Sequence, residues 1–184
     1  MNYYQDILIL PNPEIADQVL MATLFMQLHL KLAQTGEGRI GISFPEVGLT
    51  PGSRLRLHGT QEDLAKLDAT CWHNKTKDYI FCQSIHPVPE GCRYRTVRRV
   101  QYKSSAERLR RRSVKKGWLT QEQAEQQISV LNEKRGKLPF LPVKSHSNGH
   151  TWLLFIEHGP LKEAPIEGCF SSYGLSAVAT VPWF

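Results

Sequence analysis

The order in which two apolar periods alternate along the first half of the chain leaves few folds open. Residues 3–10, YYQDILIL, read as a strand, and Glu14 to Ala33 as a long helix with Leu20, Met21, Leu24, Phe25, Leu28 and Leu32 on one face. RIGISFP (Arg39 to Pro45) returns to strand character. Arg54 to His58 alternates as another strand, Gln61 to Leu67 suits a short helix, and Asp78 to Gln83 reads as a further strand. The succession β-α-β-β-α-β is the ferredoxin-like arrangement.

Beyond the turn-rich Pro87 to Gly91 the pattern changes. Tyr94 to Tyr102 is a basic, strand-like segment that runs into two helices. The first is signalled by Ser104-Ser105-Ala106-Glu107, a capping box that satisfies free N–H groups at a helix start, and Gly117 supplies its stop. The second opens at capping-box spacing with Thr120 and Gln123 and closes near Lys134-Arg135-Gly136. Two apolar runs follow, Leu141 to Ser147 and His150 to Ile156. Between them lies Asn148-Gly149, a strong hairpin signal because a type I′ turn needs positive φ at both positions. Short strands are expected around Phe170 to Tyr173 and Val178 to Trp183. The chain shows no internal repeat and no low-complexity linker, so its fold class is α+β. Residues 1–92 form the ferredoxin-like domain, expected to pack against a second α+β domain, 93–184, that carries the basic helix and the hairpin.

Charge narrows the function. Between Arg93 and Lys116 lie eleven basic residues against one acid, Glu107, a window of +10, whereas the remaining 12 basic and 16 acidic residues sum to −4. A dense cationic patch on an otherwise acidic chain points to a polyanion. An anionic membrane is the competing partner, but the flanking helix lacks the large Trp, Phe and Leu face that interfacial binding uses. Nucleic acid is the better match. No run approaches the roughly 18 apolar residues of a transmembrane helix. The start, MNYYQDILIL, also lacks a basic n-region and a small-residue cleavage site. The expectation is a soluble, cytoplasmic protein with no membrane association. Cys71, Cys82, Cys92 and Cys169 form no C-x-x-C pair and read as buried free thiols in a reducing compartment.

Several residues stand out within this frame. At about 100° per residue, Arg108, Arg111, Arg112 and Lys115 share one helix face. An ordinary solvated face would be laced with carboxylates at i, i+4, and here Glu107 before Arg111 is the single one, so an anion is expected against the face. Arg99 and Gln101 project from one face of the preceding strand segment. Either they read guanine and adenine edges side by side, or they belong to an unremarkable exposed face. A two-residue hairpin loop pairs Ser147 with His150 and Ser145 with Trp152, placing all four on one face. An aromatic beside hydroxyls and an imidazole suits base stacking and ribose contact, although a tryptophan is as readily a core residue. His29 lies just beyond the apolar arc of the first helix, where a lone histidine is more often structural. His146 and His150 have H-x-x-x-H spacing across a turn instead of along a helix, so zinc is excluded and neither metal nor cofactor is expected. Gly36-Glu37-Gly38-Arg39-Ile40-Gly41 matches a dinucleotide fingerprint but follows a helix and enters a strand, the reverse of the required context.

Five segments together resemble one family: LFMQLHLKL with RIGISFP, RRVQYKSSAERLRRR, LPFLPVKSHSNG, HTWLLFIEHGP, and SSYGLSAVATVPWF. In order and spacing they resemble the repeat-processing endoribonucleases of type I-F CRISPR systems (Cas6/Csy-type), over nearly the whole chain. The resemblance implies a metal-independent enzyme that cuts the CRISPR repeat transcript, the pre-crRNA, at the base of a hairpin. It implies that the hairpin-bearing crRNA is retained with the other subunits of a type I-F surveillance complex. It assigns His29 as proton acceptor for the ribose 2′-hydroxyl and Ser145 to positioning the ribose, with Ser147 nearby. Tyr173 would orient the histidine or the scissile phosphate. Arg99 and Gln101 would read bases, the helix from Arg108 through Lys115 and Lys116 would enter the groove, and Trp152 would stack on the terminal base pair. This chain departs from the pattern at Lys115, Lys116 and Gly117, where the family continues with arginines and a histidine. Phosphate contact survives that change more readily than bidentate geometry does.

The chemistry is consistent with the charge reading. Attack by a 2′-hydroxyl on the adjacent phosphate lets RNA supply its own nucleophile and leaves a 2′,3′-cyclic phosphate and a 5′-hydroxyl. An imidazole of ordinary pKa near 6.5 suits the base role near neutral pH. Two other readings compete: a non-catalytic hairpin-binding subunit of a ribonucleoprotein, and a ribosome-associated basic protein. Convergence of His29, Ser145 and Tyr173 would favour the enzyme.

Overall fold

The structure, a computed structural model, describes the chain apart from residues 36, 102–105, 134–137 and 145–148 and the side chains of 106–107 and 129–133. Strand β1 (Tyr3–Ile9) leads to helix α1 (Asp17–Thr35), then β2 (Gly41–Ser43), β3 (Arg54–Gly59) and α2 (Gln61–Asp68). Strand β4 (Ile80–Cys82) is entered through a 3-10 helix at Asn74–Tyr79. Within the sheet the order is β2-β3-β1-β4 with every pairing antiparallel, so β3 is inserted between the two strands that α1 connects. This is the ferredoxin-like arrangement in the expected order. A short β5 (His86–Pro87) also pairs with β1.

The rest of the chain forms β6 (Arg93–Arg95), β7 (Val97–Val100), α3 (Ala106–Lys115), α4 (Gln121–Glu133), β8 (Phe140–Lys144), β9 (Thr151–His158) and β10 (Val181–Trp183). Strand β10 pairs with β6, and β7-β9-β8 form a separate sheet, so the fold is α+β. Where one basic strand was expected over Tyr94 to Tyr102 there are two, in different sheets. The break falls at Thr96, whose carbonyl accepts the Gly159 N–H at 2.8 Å. Residues 37–40 connect α1 to β2, so the glycine-rich stretch is a helix exit as expected; Gly36 lies outside the described residues.

Local chemistry explains why α1 starts where it does. The Asn12 side-chain oxygen accepts the N–H groups of Glu14 and Ile15 at 2.8 and 2.9 Å, which delays the helix from Glu14 to Asp17. Its inner face, Leu20, Met21, Leu24, Phe25 and Leu28, is at most 4% exposed. Each such side chain contributes roughly 1.5–3 kcal/mol on burial. The same core takes Ile42 and Leu57 from the first sheet, Leu141, Val143, Leu154 and Ile156 from β8 and β9, and Val181 from β10. Residues Met1–Arg99 with Pro139–Phe184 therefore make one compact unit and Val100–Leu138 a second. These units do not follow the expected boundary at residue 92. The apolar faces of β8, β9 and β10 need cover, and they find it in the core that α1 already organises.

Two of the four free cysteines, Cys71 and Cys169, are exposed and the other two half-buried, so the expectation of buried thiols is corrected at both exposed positions. Among the described residues no helix is long and apolar enough to cross a membrane.

Two buried polar groups in the larger unit have close partners. Arg56 grips Asp6 through two nitrogens, at 2.7 and 2.8 Å, with its guanidinium over the Phe184 ring at 4.0 Å. His58 is fully buried, with Nε2 2.8 Å from the Ser43 hydroxyl. Burial, reinforced by the charges of Arg56 and the N-terminus, pushes its imidazole from 6.5 down to about 3. Burial and then Arg95 lower His158 from 6.5 to about 4. The unfolded chain protonates both near pH 6.5, whereas the folded chain keeps them neutral to lower pH. The folded state thus binds fewer protons in that window, and stability falls as pH drops by up to about 1.4 kcal/mol per pH unit per histidine. Urea unfolding at pH 7, 6 and 5, above the carboxylate range, should show this loss, and His58→Gln should reduce its slope by about half. A pH-independent midpoint in the parent chain would contradict the assignment.

Candidate functional site

Four of the residues singled out from sequence meet in the larger unit. His29 follows Phe25 by about one turn of α1, at the edge of the buried face. Its Nδ1 lies 3.0 Å from the backbone carbonyl of Ser172. A carbonyl only accepts, so Nδ1 carries the hydrogen, and the lone pair of the neutral ring sits on Nε2. The imidazole stacks flat on Tyr173, ring centroids 3.9 Å apart at 8°. Tyr173 also lies parallel to Phe25 at 5.8 Å, and it meets Trp152 edge-on at 6.3 Å.

The loop that delivers Tyr173 and Ser172 is a tight turn, not the expected Phe170 to Tyr173 strand. Gly174 N–H donates to Ser171 O at 2.8 Å, Ser171 N–H to Leu175 O at 2.9 Å, and Ile42 N–H on β2 to Gly174 O at 2.9 Å. Gly174 has φ +69°, and a Cβ there would fall 2.7 Å from Ile42 Cγ2. Backbone contact this close to β2 requires glycine.

Arg99 and Trp152 come from neighbouring strands. On β7, Arg98 faces outward and is held by both carboxylate oxygens of Glu157 at 3.0 and 2.9 Å. Arg99 alternates to the side of buried Val97, where its guanidinium lies 4.3 Å from the Trp152 ring and 5.5 Å from that of Tyr173. Its Nε is buried with no hydrogen-bond partner among the described residues. A planar cation resting on aromatic faces with an unsatisfied donor is suited to accepting an oxygen anion or a base edge.

Trp152 is half-buried against the core, so the core and surface readings each hold in part. Its partner across the hairpin is Val143, and Lys144 pairs with Thr151. The expected pairing of Ser145 with Trp152 is therefore shifted by two residues, and that of Ser147 with His150 lies outside the described residues. The Phe140–Phe155 ring contact at 5.7 Å and the Ile156 N–H to Pro139 O bond at 2.9 Å hold the observed register. Gly149 has the positive φ expected of it. Ser145, His146, Ser147 and Asn148 lie outside the described residues, and His150 is exposed.

The smaller unit carries seven of the eleven cations of the basic window. Leu109 of α3 packs with Leu119 against Ala124 and Ile128 of α4. Arg108, Arg111, Arg112, Lys115 and Lys116 are exposed. At its end, Gly117 N–H donates to Val114 O and Trp118 N–H to Ser113 O, both at 3.0 Å, the bonding pattern of a Schellman cap. Helix α4 opens with the expected capping box: Thr120 N–H to the Gln123 side chain at 3.1 Å, and Gln123 N–H to the Thr120 hydroxyl at 3.2 Å. The box proposed for α3, from Ser104 to Glu107, lies outside the described residues and side chains. Gln101 is exposed but follows the end of β7 at Val100, so the strand alternation expected to align it with Arg99 stops short of it.

Sequence reading missed the Ser172 carbonyl that fixes the His29 tautomer, and the cation–π contact of Arg99 with Trp152. Neither has a local signal. Among the described residues no three His, Cys, Asp or Glu side chains converge as a metal-binding set.

A family model described as CRISPR-associated protein (Cas_Csy4) matches residues 4–184. A relative from Escherichia coli (strain UTI89 / UPEC), named "CRISPR-associated endonuclease Cas6/Csy4", is 51% identical over 184 residues, covering 100% of both chains. A relative of the same name from Pseudomonas aeruginosa (strain UCBPP-PA14) is 41% identical over 187 residues, again with 100% of both covered. A solved structure, "Structure A of CRISPR endoribonuclease Cse3 bound to 19 nt RNA", covers 99% of this chain and 100% of its own. At 16% identity and a TM-score of 0.37, that likeness is too slight to build on. Matched from residue 4 to residue 184 by the family model, and over its full length by both relatives, the chain belongs to the Csy4 family of CRISPR-associated proteins.

Proposed function

We propose that this protein is a CRISPR repeat-processing endoribonuclease that cuts the pre-crRNA at the base of its repeat hairpin without a metal. It keeps the mature crRNA hairpin as a cytoplasmic subunit of a type I-F surveillance complex. His29 Nε2 takes the proton of the ribose 2′-hydroxyl. The 2′-oxygen bonds to the adjacent phosphorus as the bond from phosphorus to the 5′-oxygen breaks, and that oxygen leaves with a proton from water. The products are a 2′,3′-cyclic phosphate and a 5′-hydroxyl.

The observation that carries this reading is the setting of His29. Its Nδ1 is tied to the Ser172 carbonyl, which leaves Nε2 as the accepting nitrogen, and its ring lies flat on Tyr173. General-base work needs that tautomer and a fixed ring. A subunit that only held the hairpin would need neither, which favours the enzyme over the binding module. The names of the two relatives, both endonucleases, support the same choice. Tyr173 orients the imidazole, and Ser145, with Ser147 beside it, positions the ribose as the family resemblance implies. Arg99 on the Trp152 ring extends a stacking surface toward the terminal base pair of the stem, with Gln101 and His150 as further RNA contacts. Arg108, Arg111, Arg112, Lys115 and Lys116 hold the stem.

His29→Ala should lower the single-turnover cleavage rate by about 10²- to 10⁴-fold while leaving hairpin affinity unchanged. Full activity in this variant, measured in EDTA with the host's own repeat RNA, would remove His29 from the mechanism. A substrate with a 2′-deoxy nucleotide just upstream of the cut should bind and remain intact. Cleavage of that substrate would mean that the nucleophile is not the 2′-hydroxyl. Arg112→Ala should weaken binding of all hairpins alike and reduce the slope of log affinity against log salt by about one. An unaltered slope would place Arg112 away from phosphate.

A further inference from the structure

A tryptophan is ordinarily largely buried, yet Trp118 is 63% exposed, with Val114 beside the same turn 38% exposed. It does not hang loosely. Gly117 takes φ +68°, and the paired bonds to Val114 O and Ser113 O fix the backbone on both sides of it. In a Schellman cap the residue after the glycine commonly folds its apolar side chain back onto the helix. Trp118 instead presents its ring to solvent, with the Lys116 ammonium 4.8 Å from the ring centroid.

The surroundings select the partner. Arg111, Arg112, Lys115 and Lys116 are all exposed on the same short helix and its cap. The core of a protein–protein interface is depleted of charge, which such a surface does not offer. A nucleotide matches both features at once, since its base offers a π-face to the indole and its phosphate an oxygen to Lys116. A paired base has its faces covered by its neighbours in the stem, so only an unpaired base can stack.

We propose that Trp118 is a stacking platform for one unpaired base of the RNA hairpin whose stem the α3 cations hold. This rests on the reading of the protein as a hairpin-binding endoribonuclease and adds a specificity element to it. Stacking tolerates any base, so Trp118 senses that a base is unpaired at a set distance from the stem and not which base it is.

The test is anisotropy titration of the full chain with the host's repeat hairpin and with hairpins made abasic at each unpaired position in turn. Trp118→Ala should weaken binding about 5- to 100-fold, and Trp118→Phe should retain most of the affinity. One abasic hairpin should be weakened to the same degree with the parent chain and show no further loss with Trp118→Ala. If Trp118→Ala binds as the parent does, the platform is refuted, and that is the result expected if the indole serves a protein partner. Abasic losses that are the same in parent and variant also refute it, and so does a parent chain that no abasic position weakens, a result that needs no variant at all. If the parent itself fails to bind the hairpin, the functional reading falls with it, a result distinct from either of these.

Discussion

Burial of one face of α1 is the constraint on which the larger unit depends, because two sheets use the same helix to cover their apolar sides. Leu20, Met21, Leu24, Phe25 and Leu28 sit in a single core with residues of β2 and β3 on one hand and of β8 and β9 on the other. The helix also meets β8 at its backbone: the Gln18 amide donates to Phe140 O at 3.1 Å. Packing of that face fixes the rotation of the helix, and rotation decides where His29 points. Tyr173 lies parallel both to Phe25 in the core and to His29 at its edge. The orientation of the imidazole is thus inherited from the core through stacked rings, and from the backbone through Ser172.

The cations are handled by different means. Arg108 with Arg112, and Arg111 with Lys115, are like charges at i, i+4, each pair costing a few tenths of a kcal/mol in a free helix. Helix α3 offsets this with a small apolar contact to α4, a Schellman cap, and two lysines at its C-terminal end, where the helix dipole favours positive charge. A unit stabilised so modestly leaves Arg111, Arg112, Lys115 and Lys116 exposed to an incoming anion. The larger unit does the reverse with Arg56 and Arg98, which are satisfied by Asp6 and Glu157.

Arg99 stands between these two strategies. It occupies the strand position that alternation turns toward the core, yet among the described residues it meets there the faces of Trp152 and Tyr173. A guanidinium held this way keeps its charge and part of its hydrogen-bonding capacity in reserve. Its neighbours are the residues proposed to act on the RNA, so any ligand that satisfies Arg99 is drawn against the His29 and Tyr173 pair.

Features encoded within a few residues were legible in the amino-acid order. Periodicity set the β-α-β-β-α-β order, Gly117 set the end of α3, and Thr120 with Gln123 set the start of α4. Clustering of eleven cations marked the segment proposed to hold RNA, and five motifs carried the family. The folded packing set which distant residues meet: His29 with Ser172 and Tyr173, and Arg99 with Trp152. It also decided that β8, β9 and β10 rejoin the first core, that residues 170–173 form a turn, and that Val143 rather than Ser145 faces Trp152. The reason is physical. A two-residue slip of an antiparallel pair leaves every side chain on the same face, so alternation cannot detect it, and ring-on-ring contact between separate elements has no local pattern at all. Such contacts are set by how faces pack, and packing is a property of the folded chain.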